Sequence, residues 1–97
     1  MEWTYPKISG LTYTVLDAAL QHLGYVRHDE PERVVYTHST ETKARLLFPV
    51  FPLEEEVRGI DLLAAQKIVD GFGIMDVRNF DLLLIRLAGH PLPTLSH

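Results

Sequence analysis

The 97-residue sequence contains no cysteine, which excludes disulfide bonds and any zinc site built on cysteine. It also has no apolar run long enough to span a bilayer. Residues 1–10 lack the basic start and apolar core of a signal peptide. We therefore expect a cytoplasmic protein that does not bind a membrane.

Positive charge is scarce as well, because nine Lys and Arg residues stand against thirteen Asp and Glu residues, for a net charge of −4. Phosphate contacts supply most of the non-specific affinity for nucleic acid, so this balance argues against strong RNA or DNA binding. The sequence also has no phosphate-binding loop, no nucleophile elbow and no carboxylate pair spaced for acid–base catalysis. These absences favour a non-catalytic protein that holds no cofactor.

The chain does contain enough apolar residues for a core. Its hydrophobic content of 46% and charged content of 23% are ordinary for a globular domain, and its length suits one domain. We interpret residues 1–97 as a single α+β domain. Residues 1–10 are predicted to form an N-terminal arm, and residues 89–97, which contain Pro91 and Pro93, an irregular tail.

Three runs of β-forming residues, at 25–28, 33–38 and 44–48, are separated by turn-prone segments and predict an antiparallel meander. Apolar residues at helical spacing predict α-helices over residues 13–23, 62–72 and 77–88. The predicted fold is therefore a helix, a three-stranded antiparallel β-meander, a second helix and a C-terminal third helix, arranged in two layers.

Alternation along the strands assigns apolar residues to both faces of the predicted sheet. A second turn centred near residues 41–42 groups Val35 with Phe48 on one face and Val34, Tyr36 and Leu47 on the other. One face must cover the helices. We predict that Val34, Tyr36 and Leu47 lie on the open face, where they form a partner-binding surface.

The third predicted helix is apolar nearly all round, because Leu82, Leu83 and Ile85 add to its main stripe. Such a helix is normally covered on more than one side. We predict that these three residues also contact a partner, and that a second copy of the chain provides the cover.

The order of elements is similar to the double-stranded-RNA-binding fold, and short motifs resemble small toxins of the HicA family, which cleave mRNA. The resemblance extends over residues 16–74. Its motifs are Leu23-Gly24-Tyr25 after the first helix, Val35-Tyr36-Thr37-His38 in the second strand, Pro49 after the last strand and Phe72-Gly73-Ile74 after the second helix.

The resemblance implies an RNA substrate and an antitoxin-like partner protein, with Arg33, His38 and Arg45 as RNA contacts. The catalytic histidine of the family lies in a Gly-Ser-His stretch, which aligns here with Pro31-Glu32-Arg33. Arginine stays protonated and cannot act as a general base at neutral pH.

Two functional hypotheses follow. The first is a non-catalytic protein-interaction module of HicA-like fold that self-associates, as a homodimer for example, or binds an antitoxin-like protein. The alternative is a divergent HicA-like toxin that binds or cleaves RNA. We do not expect a metal site from His28 and His38, because simple hairpin pairing does not place them opposite each other and a third ligand is missing.

Overall fold

The computed structural model describes residues 11–89. Its elements are α1 (Tyr13–His22), β1 (Tyr25–Asp29), β2 (Arg33–His38), β3 (Leu46–Pro49), α2 (Gly59–Gly71) and α3 (Val77–Leu87). The predicted α+β class and order of elements are confirmed. The predicted arm at residues 1–10 and residues 90–97 of the predicted tail lie outside the described residues. Between residues 11 and 89, the helices are all too short or too polar to cross a membrane.

The three strands form one antiparallel sheet in the order β1-β2-β3. Helix α1 packs on β1, α2 packs on β3, and α3 packs on both of the other helices. We call the side of the sheet that the helices cover the inner face. It carries Tyr25, Arg27, Asp29, Val34, Tyr36, His38, Leu46 and Phe48. The opposite side, the outer face, carries Val26, His28, Val35, Thr37 and Leu47.

The prediction that Val34 and Tyr36 lie on the open face is wrong. In the sheet, Val34 pairs with Phe48 and Tyr36 with Leu46. Val34 is 2% exposed and Tyr36 1% exposed, and both belong to the core. The predicted turn paired Val35 with Phe48, which is one residue out of register. Such an error matters because a one-residue shift in pairing exchanges the two faces of a strand. Leu47 does lie on the outer face, as predicted.

The start of α1 is closed by the connector between β3 and α2. Thr12 stands at the N-cap, but its side chain makes no capping hydrogen bond. Instead, the Tyr13 N–H donates to the Glu55 carbonyl at 3.0 Å, and the Thr14 N–H donates to the Leu53 carbonyl at 2.9 Å. These bonds satisfy N–H groups that have no partner within the helix. They also bring the acidic connector to the positive end of the helix dipole.

The second helix begins earlier than predicted, at Gly59, and its N-cap is Arg58. Asp61 is a buried residue of the first turn, and it accepts a hydrogen bond of 2.5 Å from the Tyr13 hydroxyl. The predicted start of α3 is confirmed, because the Asp76 carboxylate caps the helix by accepting from the Asn79 N–H at 2.8 Å.

A second tyrosine–aspartate bond joins the sheet to α1. The Tyr36 hydroxyl donates to Asp17 Oδ1 at 2.6 Å, and Arg27 Nη1 lies 3.7 Å from the same oxygen. The Arg27 guanidinium lies 5.3 Å from the centre of the Phe51 ring, which stacks on Tyr13 at 4.0 Å. Phe51 therefore connects the two tyrosine–aspartate pairs through ring contacts.

Tyr25 differs from Tyr36, although both are buried on the inner face. The Tyr25 ring meets His38 edge-on at 5.0 Å, and its hydroxyl has no hydrogen-bond partner among residues 11–89. Burial raises the pKa of Tyr25 to about 12. The pKa of Tyr36 is also raised, first by burial and then by the hydrogen bond to Asp17.

We predict opposite effects from removing these two hydroxyl groups. Tyr36→Phe should lower the free energy of unfolding by about 1–3 kcal/mol, because it removes the hydroxyl that donates to Oδ1 of the partly buried Asp17. Tyr25→Phe should leave it unchanged or raise it by up to about 1 kcal/mol, because the lost hydroxyl has no partner. Urea denaturation of both variants measures the difference. A loss in Tyr25→Phe as large as that in Tyr36→Phe would contradict this reading.

The buried hydroxyl of Tyr25 should also make the stability of the protein depend on pH in the alkaline range. A tyrosine whose pKa is raised on folding contributes stability that is complete below its ordinary pKa of 10.0 and is lost as the pH rises toward about 12. Tyr25→Phe should therefore lose less stability than the wild type between these pH values. Equal losses would contradict the raised pKa of Tyr25.

Candidate functional site

The outer face of the sheet is one candidate site. Val35 lies in the middle strand, opposite His28 on β1 and Leu47 on β3. Val35 itself is buried, but Val26 is 52% exposed and Leu47 is 48% exposed. No helix or strand among residues 11–89 packs on this face. The surface combines exposed aliphatic groups with one polar contact, from His28 Nε2 to the Thr37 hydroxyl at 3.0 Å.

A groove between α1 and α3 is the second candidate site. It has a volume of about 250 Å³ and is lined by His22, Met75, Asn79, Leu82, Leu83 and Arg86. Four of these residues lie on α3 at positions i, i+3, i+4 and i+7 and so form one stripe along the helix. The groove thus has an apolar middle with polar and cationic side chains around it.

The three residues of α3 that were predicted to bind a partner are not all exposed. Leu82 is partly exposed and lines the groove, together with Leu83. Leu83 and Ile85 are each only 6% exposed, so the prediction that a single chain leaves them uncovered is wrong. The physical reason is that α3 packs on both α1 and α2, which cover two of its sides.

Sequence reasoning missed the other groove residues. His22 and Met75 come from separate segments, and only the packing of α3 on α1 brings them together. A signal for the α3 part was present, since Asn79, Leu82 and Arg86 recur at helical spacing. The prediction for that helix was based on its apolar residues alone.

His38, a predicted RNA contact, uses both ring nitrogens within the fold. Nε2 lies 2.7 Å from the Leu23 carbonyl, which can only accept, so Nε2 carries the proton. Nδ1 accepts from the backbone N–H groups of Thr40 at 3.2 Å and Glu41 at 3.0 Å. His38 therefore ties the end of α1 to the loop after β2, and its imidazole has no nitrogen left for a proton transfer.

The two predicted RNA-contacting arginines are not brought together. Arg33 begins β2, pairs with Pro49, and has its Nε 2.7 Å from Glu30 Oε1. Arg45 precedes β3, whose first residue pairs with Tyr36 near the other end of β2. Arg45 is exposed and forms no ion pair among the described residues. Arg33, His38 and Arg45 thus do not form one cluster.

His28 and His38 lie on opposite faces of the sheet, since His28 pairs with Val35 and His38 with Tyr25. They cannot bind one metal ion together. In the part of the chain from Leu11 to Gly89, no group of three or more His, Asp or Glu side chains is arranged to hold a metal.

Comparison with known proteins gives no relative, since no family model, curated protein or solved structure matches this chain.

The bonds of His38 lead to a prediction about stability. His38→Ala should lower the free energy of unfolding by about 1–3 kcal/mol, because it leaves the Leu23 carbonyl and two loop N–H groups without their partner. The matched control is His28→Ala, which removes one hydrogen bond on the exposed outer face and should cost about 0.5 kcal/mol or less. Chemical denaturation checks both values. Equal costs would show that His38 has no special structural role.

Proposed function

We propose that this protein is a non-catalytic protein-interaction module that self-associates through the outer face of its sheet. An antitoxin-like protein, which the resemblance to HicA toxins suggests, is the alternative occupant of the same face. The observation that carries the proposal is the exposure of Val26 and Leu47 on a sheet face that no described helix or strand covers.

The shape and composition of this face favour a protein partner. The outer face belongs to a three-stranded sheet, and exposed apolar patches are typical of contacts between proteins, whereas small-molecule sites are concave. Burying its exposed aliphatic side chains against a second copy would remove their apolar surface from water.

The chemistry of the described residues supports a non-catalytic role. The carboxylate of Asp17 is bonded to the hydroxyl of Tyr36, and that of Asp61 to the hydroxyl of Tyr13. The imidazole of His38 is bonded at both nitrogens. The buried carboxylate of Asp81 accepts a hydrogen bond from Gln66 Nε2, so each of these polar side chains has a structural partner.

A second candidate function, RNA binding by a divergent HicA-like protein, has one observation in its favour. Arg45 is exposed and unpaired among the described residues, at the start of β3. Against it stand the separation of Arg33 from Arg45, the structural bonds of His38 and the net charge of −4. This second function is therefore the weaker proposal.

The proposed self-association predicts the effect of a charge on the outer face. Leu47→Glu should weaken the dimer by at least about tenfold, because it would bury an unpaired carboxylate in the interface. The control is Leu63→Glu on α2, because Leu63 is 43% exposed and lies away from the sheet. Sedimentation velocity over a range of concentrations should show the shift to monomer only for Leu47→Glu.

A wild-type protein that remains monomeric at high micromolar concentration would overturn self-association. An unchanged dimer in Leu47→Glu would move the interface away from the outer face. Far-UV circular dichroism of both variants confirms that the added charge has not unfolded the chain.

The RNA proposal predicts salt-dependent affinity for a labelled structured RNA. Arg45→Glu should weaken binding, because phosphate contacts by cations supply the affinity. Lys67→Glu makes the same change of charge on α2 and should have a smaller effect. Fluorescence anisotropy at low salt measures both. An affinity that is equal for the two variants, or no binding at all, would reject Arg45 as an RNA contact.

A further inference from the structure

The groove between α1 and α3 has the features of a peptide-binding site that is separate from the outer face. Its apolar lining comes from Met75, Leu82 and Leu83. Methionine is flexible and polarisable and adapts to different apolar partners, which makes it common at protein-binding surfaces. With a volume of about 250 Å³, the groove is smaller than the roughly 300–1,000 Å³ of small-molecule sites. It suits a few anchoring side chains of a larger partner.

The charge of the groove differs in sign from that of the whole chain. Two basic side chains, His22 and Arg86, line it, and none of the lining residues between positions 11 and 89 carries a carboxylate, whereas the net charge of the protein is −4. The Arg86 guanidinium forms no ion pair or hydrogen bond among the described residues, in contrast to Arg27, Arg33 and Arg58, which each lie next to a carboxylate. Asp81, the acidic residue within α3, is buried and accepts a hydrogen bond from Gln66 Nε2 at 2.8 Å, and the N-cap Asp76 is bonded to Asn79.

The residues of α3 that line the groove also define the length of the site and the direction in which a helical segment would bind. Asn79, Leu82, Leu83 and Arg86 span eight residues of helix, and the seven steps between the first and the last give about 10 Å at 1.5 Å per residue. This is two turns of helix, the spacing over which an amphipathic partner helix places anchors at i, i+3, i+4 and i+7. Arg86 lies at the C-terminal end of the stripe, so an acidic group of the partner belongs at that end.

We propose that the α1–α3 groove binds an acidic amphipathic helical segment of a partner protein. Leucine-like side chains of the segment pack on Met75, Leu82 and Leu83. A carboxylate of the segment pairs with the Arg86 guanidinium beside His22. This proposal does not require self-association through the outer face, and the two surfaces are tested by different variants.

The experiment uses the full chain and two fluorescein-labelled synthetic peptides of about four helical turns in an alanine-rich background. Both carry Leu at i, i+3, i+4 and i+7. The acidic peptide has Glu on its remaining polar positions, and the basic peptide has Lys there. Fluorescence anisotropy measures the affinity of each peptide for the wild type and for three variants: Leu82→Ala, Arg86→Glu and the control Lys67→Glu.

We expect the wild type to bind the acidic peptide at least about tenfold more tightly than the basic one. Arg86→Glu should reduce or reverse this preference, and Leu82→Ala should weaken both peptides. Lys67→Glu, with an identical change of net charge on α2, should bind like the wild type. Leu47→Glu should also bind like the wild type, which separates this site from the outer face.

Three results would overturn the proposal. They are no binding of either peptide, an equal loss of acidic-peptide affinity in Arg86→Glu and Lys67→Glu, and concentration-dependent NMR shifts at Leu82 and Arg86 without peptide. The second result would mean that only net charge matters. The third would mean that a second copy of the chain fills the groove.

Discussion

The hydrogen bond between the Tyr13 hydroxyl and Asp61 joins residues 48 positions apart and links the first turn of α1 to the first turn of α2. Tyr13 takes part in three further contacts from the first turn of α1. Its N–H donates to the Glu55 carbonyl, its ring stacks on Phe51, and its hydroxyl accepts from the Arg58 N–H at 3.3 Å. One residue therefore holds the start of α1, the connector after β3 and the first turn of α2. The rest of the packing follows from this point, because α3 lies on the two helices that Tyr13 joins.

The polar side chains near the core form two similar networks. Each tyrosine–aspartate pair has an arginine nearby, since Arg27 lies 3.7 Å from Asp17 and Arg58 lies 3.5 Å from Asp61. Such networks rigidify a fold when every member has a partner. They also explain why the surviving candidates for function are surfaces. The hydroxyl of Tyr36 and the carboxylate of Asp17 join the sheet to α1, and those of Tyr13 and Asp61 join α1 to α2.

Local patterns in the sequence were sufficient to predict the elements but not their pairing. Apolar spacing and the strand runs predicted all the described helices and strands in order. The register of β2 against β3 could not be predicted, because the segment from Ser39 to Arg45 has no residue that fixes a turn type. The predicted register was wrong by one position, which placed Val34 and Tyr36 on the wrong face of the sheet. The groove was hidden for a related reason. His22 and Leu82 are far apart in sequence, and only helix packing makes them neighbours.

The connector from Phe51 to Arg58 looks in sequence like an ordinary acidic surface loop, and its residues from Pro52 to Glu56 are exposed. Its backbone, however, bonds α1 twice through carbonyls, and the Val57 N–H donates back to the Leu11 carbonyl. Main-chain bonds place no demand on side-chain identity but fix the number of residues between them. Over evolutionary time, substitutions at positions 53 to 56 should therefore be tolerated, whereas an insertion or deletion there would displace the first helix.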